Sequence, residues 1–421
     1  MPFGKSGNTY LFGAVGQGLG PVLLTPVLTR QLDEQSYGEI TFINSFSAIL
    51  GILFSFGLPI VISRSYVLDE NSRSSINKWF KQIVVSYLAL SLLLLLLSQN
   101  SINIVILSLS LPFALLQLIL PLARAQEKAL SFATISILGT LTPSLGVILN
   151  STLNFPLTSS KALVLGALLG SIISIILIWP KNDSGEIFSN FSFIKSVKIA
   201  YPILPHMFAM VALINIDKVI FGQQLDKSFS GYLQVIMLIG SAPIMILSAL
   251  NHAWLNQILL KLKENSTEAF NNLNSTIKRL FALSILFVIF IGLFNSQILN
   301  ILNPNLDATT EIQKTIILTS LVSFIYVIYL ANTHLLTWQN RFWVLGLTTP
   351  TSVIFQSLII YLTLDPFGYL SAGLGIGVAL TIQVLLLEAF RSKTLTKGAI
   401  HSKYLFISLT IFWATALYFL I

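Results

Sequence analysis

Apolar residues in this chain run in long stretches, each near the roughly 20 residues a helix needs to cross a bilayer core, and polar positions gather between them. A barrel strand needs only about 10 residues, and backbone amides in hydrocarbon must be bonded within their own segment, so every stretch is predicted as a helix. Thirteen spans follow, at about 9–28, 38–63, 79–98, 104–122, 130–150, 161–179, 199–222, 231–253, 279–296, 314–332, 341–363, 370–389 and 402–421. The connections are short, and the two longest, about 180–198 and 254–278, fall on the same side of the bilayer. The predicted fold class is an all-α polytopic membrane protein.

Composition agrees and narrows the function classes. The 421 residues are 54% apolar and 10% charged, whereas a soluble domain carries about 25% charged residues. A soluble enzyme, a nucleic-acid-binding domain and a disordered tail are excluded together. The net charge of +8 is explained by topology. With the N-terminus cytoplasmic, nineteen Lys and Arg fall in inside segments and four outside (Arg30, Lys161, Lys227 and Lys314), while Lys218 lies in a span. That bias sets the orientation, and no nucleic acid is needed to account for the charge. The chain has no cysteine, so no disulfide or thiolate metal site is expected. The first apolar segment reads as a retained span rather than a cleavable leader.

The two halves repeat weakly. Gln31-Leu32-Asp33 and then Gly38 recur as Gln224-Leu225-Asp226 and then Gly231, 193 residues later. Leu138 to Pro143 recurs as Leu345 to Pro350, and Gly166 and Gly170 recur as Gly373 and Gly377, both at an offset of 207. Six spans per half put both halves into the membrane from the same side, a duplicated architecture found in transporters. The expected organisation is two parallel six-helix lobes, 1–180 and 181–390. A basic linker and a thirteenth span follow at 391–421.

Catalytic motifs are missing. Gly4-Lys5-Ser6 lacks the rest of a P-loop, and Gly16-Gln17-Gly18-Leu19-Gly20 lies inside an apolar span. Gly13, Gly16 and Gly20, and the pairs Gly166/Gly170 and Gly373/Gly377, read as small-residue stripes for close helix packing. The four histidines are scattered, so no metal site and no cofactor are expected. Prolines fall in paired places: Pro21 and Pro26 in the first span, Pro202 and Pro205 in the seventh, and Pro59 in the second. Each removes an amide donor and can kink its helix, which makes them hinge candidates, with static packing bends as the alternative.

Charges at membrane depth are the sharpest signal, since each costs about 2.5–3.5 kcal/mol at a helix centre. Asp217 and Lys218 both lie in the seventh span. Neighbouring helix positions point about 100° apart, so they are expected to be poor partners for each other. The alternative for Lys218 is to snorkel to the outer surface. Arg30 ends the first span and Arg64 the second, and Arg124 and Glu127 read as an interfacial pair. His206, one turn after Pro205, is a candidate cavity residue.

Taken in order, several segments resemble a known family. Thr29 to Gly38, Phe56-Gly57-Leu58-Pro59 with Arg64, and Asn215-Ile216-Asp217-Lys218 with Gly222 and Gly231-Tyr232 look like signatures of bacterial polysaccharide flippases. The chain is similar to Wzx-type O-antigen and capsule repeat-unit translocases of the MOP superfamily over about residues 5–390. The resemblance implies two lobes in a V around a central cationic cavity. It implies an undecaprenyl-pyrophosphate-linked oligosaccharide, moved by alternating access from the cytoplasmic to the periplasmic leaflet of the inner membrane. It further implies that Arg30, Arg64 and Lys218 contact the head group and that Asp217 couples or orients them, with His206 a second candidate for that role. Polysaccharide polymerase and chain-length regulator are partners it suggests besides the lipid bilayer. The protein is expected not to be an enzyme. The thirteenth span departs from the usual twelve.

Two other function classes compete. A MATE-like exporter of cations or drugs should have an acidic, aromatic site, and buried acids beyond Asp217 and Glu388 are few. An integral-membrane glycosyltransferase or polymerase usually needs a sizeable outer loop or surface catalytic groups, and the outer loops here are short.

Overall fold

A computed structural model describes residues 5–68, 70–99, 101–179, 192–251, 266–338, 341–391 and 402–421. Among them every regular element is helical: α1 (Lys5–Gln31), α2 (Glu34–Phe54), α3 (Leu58–Leu68), α4 (Glu70–Leu97), α5 (Ile102–Ala125), α6 (Ala129–Leu153), α7 (Ser159–Ile178) and α8 (Phe193–Ala200). A 3-10 turn (Tyr201–Ile203) leads into α9 (Leu204–Gln224) and α10 (Lys227–Gly240). Then come α11 (Ala242–Asn251), α12 (Ser266–Leu302), α13 (Thr310–Trp338), α14 (Phe342–Phe367), α15 (Leu370–Arg391) and α16 (Ser402–Leu420). Eleven of the spans among the described residues are long and apolar enough to cross a membrane, and α10 with α11, bent by 58° at their break, makes a twelfth if the pair is one span. The 27-residue α1 is long enough but not among them; Lys5, Asn8, Gln17 and its glycines dilute its hydropathy.

Contacts divide the chain into Met1–Gly231 and Tyr232–Ile421. The expected division at 180/181 lies outside the described residues. In the first unit α1 lies along α6, and α2 lies between α5 and α9. Leu58, Ile62, Phe80, Leu115, Leu118, Ile119 and Leu122 form its buried centre. The glycine stripes serve close packing as expected. A Cβ on Gly13 would come within 2.7 Å of the Ala133 backbone, and one on Gly16 within 2.6 Å of Ile137. Gly166 and Gly170 lie against Thr142 and Pro143. In the second unit α13 is central, with 94% of its membrane window buried, and α16 is peripheral at 17%. The C-terminal helix is nonetheless docked: Gly377 meets the Phe412 ring, Ser408 donates to the Phe324 carbonyl, and Lys314 donates to the Phe419 carbonyl.

Helix starts follow from capping. Asp33, Thr158 and Ser192 each accept an amide from the first turn of the helix they precede, which fixes the starts of α2, α7 and α8. Within the spans, hydroxyls bond carbonyls a turn back, such as Thr25 to Pro21 at 2.6 Å and Ser63 to Pro59 at 2.9 Å, so serine and threonine need no water there.

One expected helix is broken and another is locally tightened. The second span was expected unbroken over 38–63, yet α2 ends at Phe54 and α3 begins at Leu58. Phe56 and Gly57 adopt φ 51° and 70°, which reverses the chain locally. Gly57 is needed there twice, for its positive φ and because a Cβ would stand 3.0 Å from the Ala200 carbonyl oxygen. Pro59 therefore sits in the first turn of a new helix, where a missing amide costs nothing, and does not itself make the break. The seventh span, by contrast, stays one helical course over Phe193–Gln224, tightened by the 3-10 turn: Pro202 falls in that turn and Pro205 in the first turn of α9. The break and α8 touch through Gly57 and Ala200, with the Phe193 ring edge-on to Phe56 and Trp79. Pro21 and Pro26, by contrast, lie in an unbroken α1.

Candidate functional site

The buried charge of the first unit is on α9. Asp217 is 0% and Lys218 3% exposed. Contrary to the expectation from helical spacing, the two neighbours pair: the Lys218 ammonium is 3.1 Å from Asp217 Oδ1, which also accepts the Lys218 backbone amide at 2.9 Å. The four-carbon lysine stem curls back, which the angle between adjacent Cβ directions alone does not reveal. The ammonium also donates to the Ile214 carbonyl one turn earlier in the helix. It therefore points away from the Gln224 end, and snorkelling to that end is excluded. Asp217 Oδ2 has no hydrogen-bond partner among the described residues. Two of the three ammonium hydrogens are used by the partners named. The pair is buried, neutral in sum and incompletely satisfied.

The residues around it hold the local chain crossing. Ser230 Oγ donates to the Lys218 carbonyl at 2.7 Å, tying α9 to the start of α10. Gly222 makes room for Ser230 and for Phe42 of α2, whose ring would be 2.6 Å from an added Cβ. Gly38 and Gly231, the repeat-related glycines, meet each other: a Cβ on Gly231 would be 3.1 Å from the Gly38 Cα, and one on Gly38 would collide with the Lys227–Ser228 backbone. The repeated aspartates end the two preceding connections alike. Asp33 Oδ1 accepts the Ser36 amide at 2.7 Å and Asp226 Oδ1 the Ser228 amide at 2.9 Å. The Ser36 side-chain and backbone bonds hold the Asp33 carboxyl below its ordinary value, and the Ser228 bonds do the same for Asp226, assisted by Lys227. Much of the motif that pointed to function is thus the packing of α2, α9 and the start of α10.

The remaining candidates are not gathered at Lys218. Arg30 is exposed at the end of α1 and donates to the Pro26 carbonyl at 3.0 Å. Arg64 lies in α3, and its side chain is outside the described residues. His206 is half-buried in the first turn of α9. Arg124 lies with its guanidinium 4.9 Å from the centre of the Phe132 ring.

Sequence reasoning missed the uncharged polar groups. A cavity of about 150 Å³ in the first unit is lined by Gln17, Gln117, Ser136 and Thr140 among apolar residues, with no charged group in its wall. Ser136 Oγ is buried with no hydrogen-bond partner among the described residues. In the second unit Asn332 donates to Glu388 at 3.0 Å, and Gln383 to Thr349 at 2.8 Å. Amides isolated in apolar spans were the available signal. No group of three or more His, Asp or Glu that could hold a metal occurs among the described residues.

No protein-family model and no curated protein matches this sequence. Solved structures do match. The lipid II flippase MurJ in an inward closed conformation aligns with a TM-score of 0.66 at 14% identity, covering 97% of this chain and 91% of that one. An inward-facing multidrug resistance MATE family transporter of the MOP superfamily aligns at 0.59 and 14%, covering 94% and 97%. The eukaryotic MATE transporter AtDTX14 aligns at 0.59 and 14%, covering 97% and 98%. The chain has the fold of MOP-superfamily transporters. At this identity the likeness concerns the fold, so the cargo must be argued from the residues.

Proposed function

We propose that this chain is a flippase for a polyprenyl-pyrophosphate-linked oligosaccharide, an O-antigen or capsule repeat unit, moved from the cytoplasmic to the periplasmic leaflet of a bacterial inner membrane. The observation that carries the reading is the incompletely satisfied Asp217–Lys218 pair. Desolvating two ions costs several kcal/mol each, and well-packed apolar residues usually do as well or better for stability. A buried pair left with a spare acceptor and a spare donor is therefore kept for a task other than stability.

A phosphate oxygen supplies what the ammonium lacks. On arrival it competes with Asp217 Oδ1 for Lys218, and the carboxylate, losing its partner, takes up a proton or cation. Binding of the anionic head group is thereby coupled to charge uptake at Asp217. Arg30 and Arg64 are assigned to the same cargo, His206 assists Asp217, and the prolines and the Ser55–Gly57 break supply hinges for alternating access. The orientation is the one the basic residues set, with the N-terminus cytoplasmic. Polymerase and chain-length regulator would act on the cargo after it crosses, and no chemical step is assigned to this chain.

The exporter reading is favoured by Glu388 and opposed by the uncharged wall of the Gln17–Gln117 cavity. The test is reconstitution of the full chain in vesicles loaded with fluorescent lipid-linked oligosaccharide, reading access of a membrane-impermeant quencher. Transfer is expected with the natural sequence and is expected to be lost in Lys218→Ala. No transfer, together with accumulation of a toxic cation in cells lacking the protein, would replace the flippase by the exporter.

A further inference from the structure

The junction of α3, α4, α5 and α6 forms an open cavity that plays no part in the reading above. Its volume is about 400 Å³, and Tyr66, Arg73, Asn77, Gln126, Glu127 and Lys128 line it. That volume is within the range of small-molecule sites (about 300–1,000 Å³). Its wall is mainly polar side chain. Arg73 is held at one side, its Nε donating to the Tyr66 carbonyl at 2.8 Å and its guanidinium 5.6 Å from the Tyr66 ring centre. Asn77 is 6% exposed and forms part of the wall. Gln126 also lines it, and its buried Oε1 accepts no hydrogen bond among the described residues, so turning it toward the cavity gives up none.

The opposite side is a helix ending of defined geometry. Lys128 donates its amide to the Ala123 carbonyl and Glu127 donates its amide to the Arg124 carbonyl, both at 3.0 Å, which closes α5 in a Schellman motif. The left-handed position in that motif is usually glycine, and here it is Glu127 at φ 57°. A glutamate kept where glycine is favoured, beside a lysine, places two opposite charges at the mouth. The segment belongs to the Lys- and Arg-rich side of the chain, which also carries Lys78, Lys81, Arg124, Lys195 and Lys198.

We infer that this cavity binds the phosphoglycerol head group of an anionic phospholipid, with Arg73 and Lys128 receiving the phosphate and the Gln126 amide turning toward the cavity to accept a hydroxyl of the glycerol. Basic pockets between membrane helices on the cytoplasmic side take anionic head groups for this reason. The cations supply affinity, and the unbonded acceptor selects a head group that can donate. Glu127 disfavours a second negative charge and so selects a phosphodiester over a phosphomonoester. The inference does not depend on the cargo.

The test uses the purified full chain in a zwitterionic lipid nanodisc, with retained lipid counted by native mass spectrometry. Phosphatidylglycerol is expected to be retained over phosphatidylmethanol, which has the phosphodiester but no free hydroxyl. Arg73→Gln with Lys128→Gln is expected to lower retention of both by about tenfold, and Gln126→Leu to abolish only the preference between them. A variant elsewhere on the same side, Lys195→Gln, controls for general surface charge and is expected to change nothing. Retention unaltered in the double variant, or lowered equally by Lys195→Gln, would overturn the site. Displacement of the lipid by soluble glycerol phosphate at equal concentration would overturn the lipid assignment in favour of a free phosphate ester.

Discussion

Removing the Lys218 charge while keeping its length gives the most decisive experiment. In Lys218→Met the methionine fills the space of the lysine stem, so cavity formation contributes little. What changes is Asp217, which is 0% exposed and loses both the 3.1 Å contact and the field of the ammonium. Breaking a buried pair by removing one partner costs about 3–5 kcal/mol. The variant should melt well below the natural protein when purified in detergent. Adding Asp217→Asn removes the stranded charge without changing shape, and the double variant should recover most of that stability, since apolar or neutral replacement of a whole pair is often neutral. Transport separates structure from function. If the ammonium receives a phosphate, the double variant is stable and inactive in the quencher assay. A double variant that both melts and transports normally would show the pair to be packing alone. A Lys218→Met single variant that melts normally would refute the energetic reasoning itself.

Other expectations follow from single contacts. Gly38→Ala drives a methyl into the Lys227–Ser228 backbone and should destabilise by about 1–3 kcal/mol, because a main chain cannot yield as a side chain can. Gly292→Ala, with nothing within 4 Å of the added carbon, should instead gain up to about 1 kcal/mol in the same melting assay. Tyr87 donates its hydroxyl to the Phe54 carbonyl at 2.6 Å, at the end of α2 where the helix stops supplying donors. Tyr87→Phe should therefore cost about 0.5–1.5 kcal/mol, the net worth of one hydrogen bond to a part-buried carbonyl. Asp33→Ala removes the α2 cap and should cost about 0.5–2 kcal/mol at neutral pH. The Ser36 bonds hold the Asp33 carboxyl below its ordinary value in the folded chain, so its contribution is full above the ordinary carboxylate range and fades as pH falls through the lowered one. The gap between Asp33→Ala and the natural protein should close in acid, while Asp33→Asn, still a cap, should show no such loss.

The helical class, the approximate places of the spans, the C-terminal helix and the glycine stripes were legible in the chain itself. Hydrocarbon forbids unsatisfied amides, so length and hydropathy suffice for the first three, and a stripe of small residues has little use but close approach. Helix ends were misjudged by many residues at α12 and α13, because a helix extends into water on polar residues that no hydropathy pattern marks. Pairing required coordinates. Adjacent positions on a helix were read as poor partners, yet a long flexible stem let Lys218 return to Asp217. The break at Ser55–Gly57 was read as a kink at Pro59 because hydropathy does not mark the positive φ of Phe56 and Gly57, nor that Gly57 packs against Ala200, 143 residues on. Solvent fixes what a segment must be, and that is written locally. Which donor meets which acceptor depends on how long side chains turn and on which helices come together, and only folding decides both.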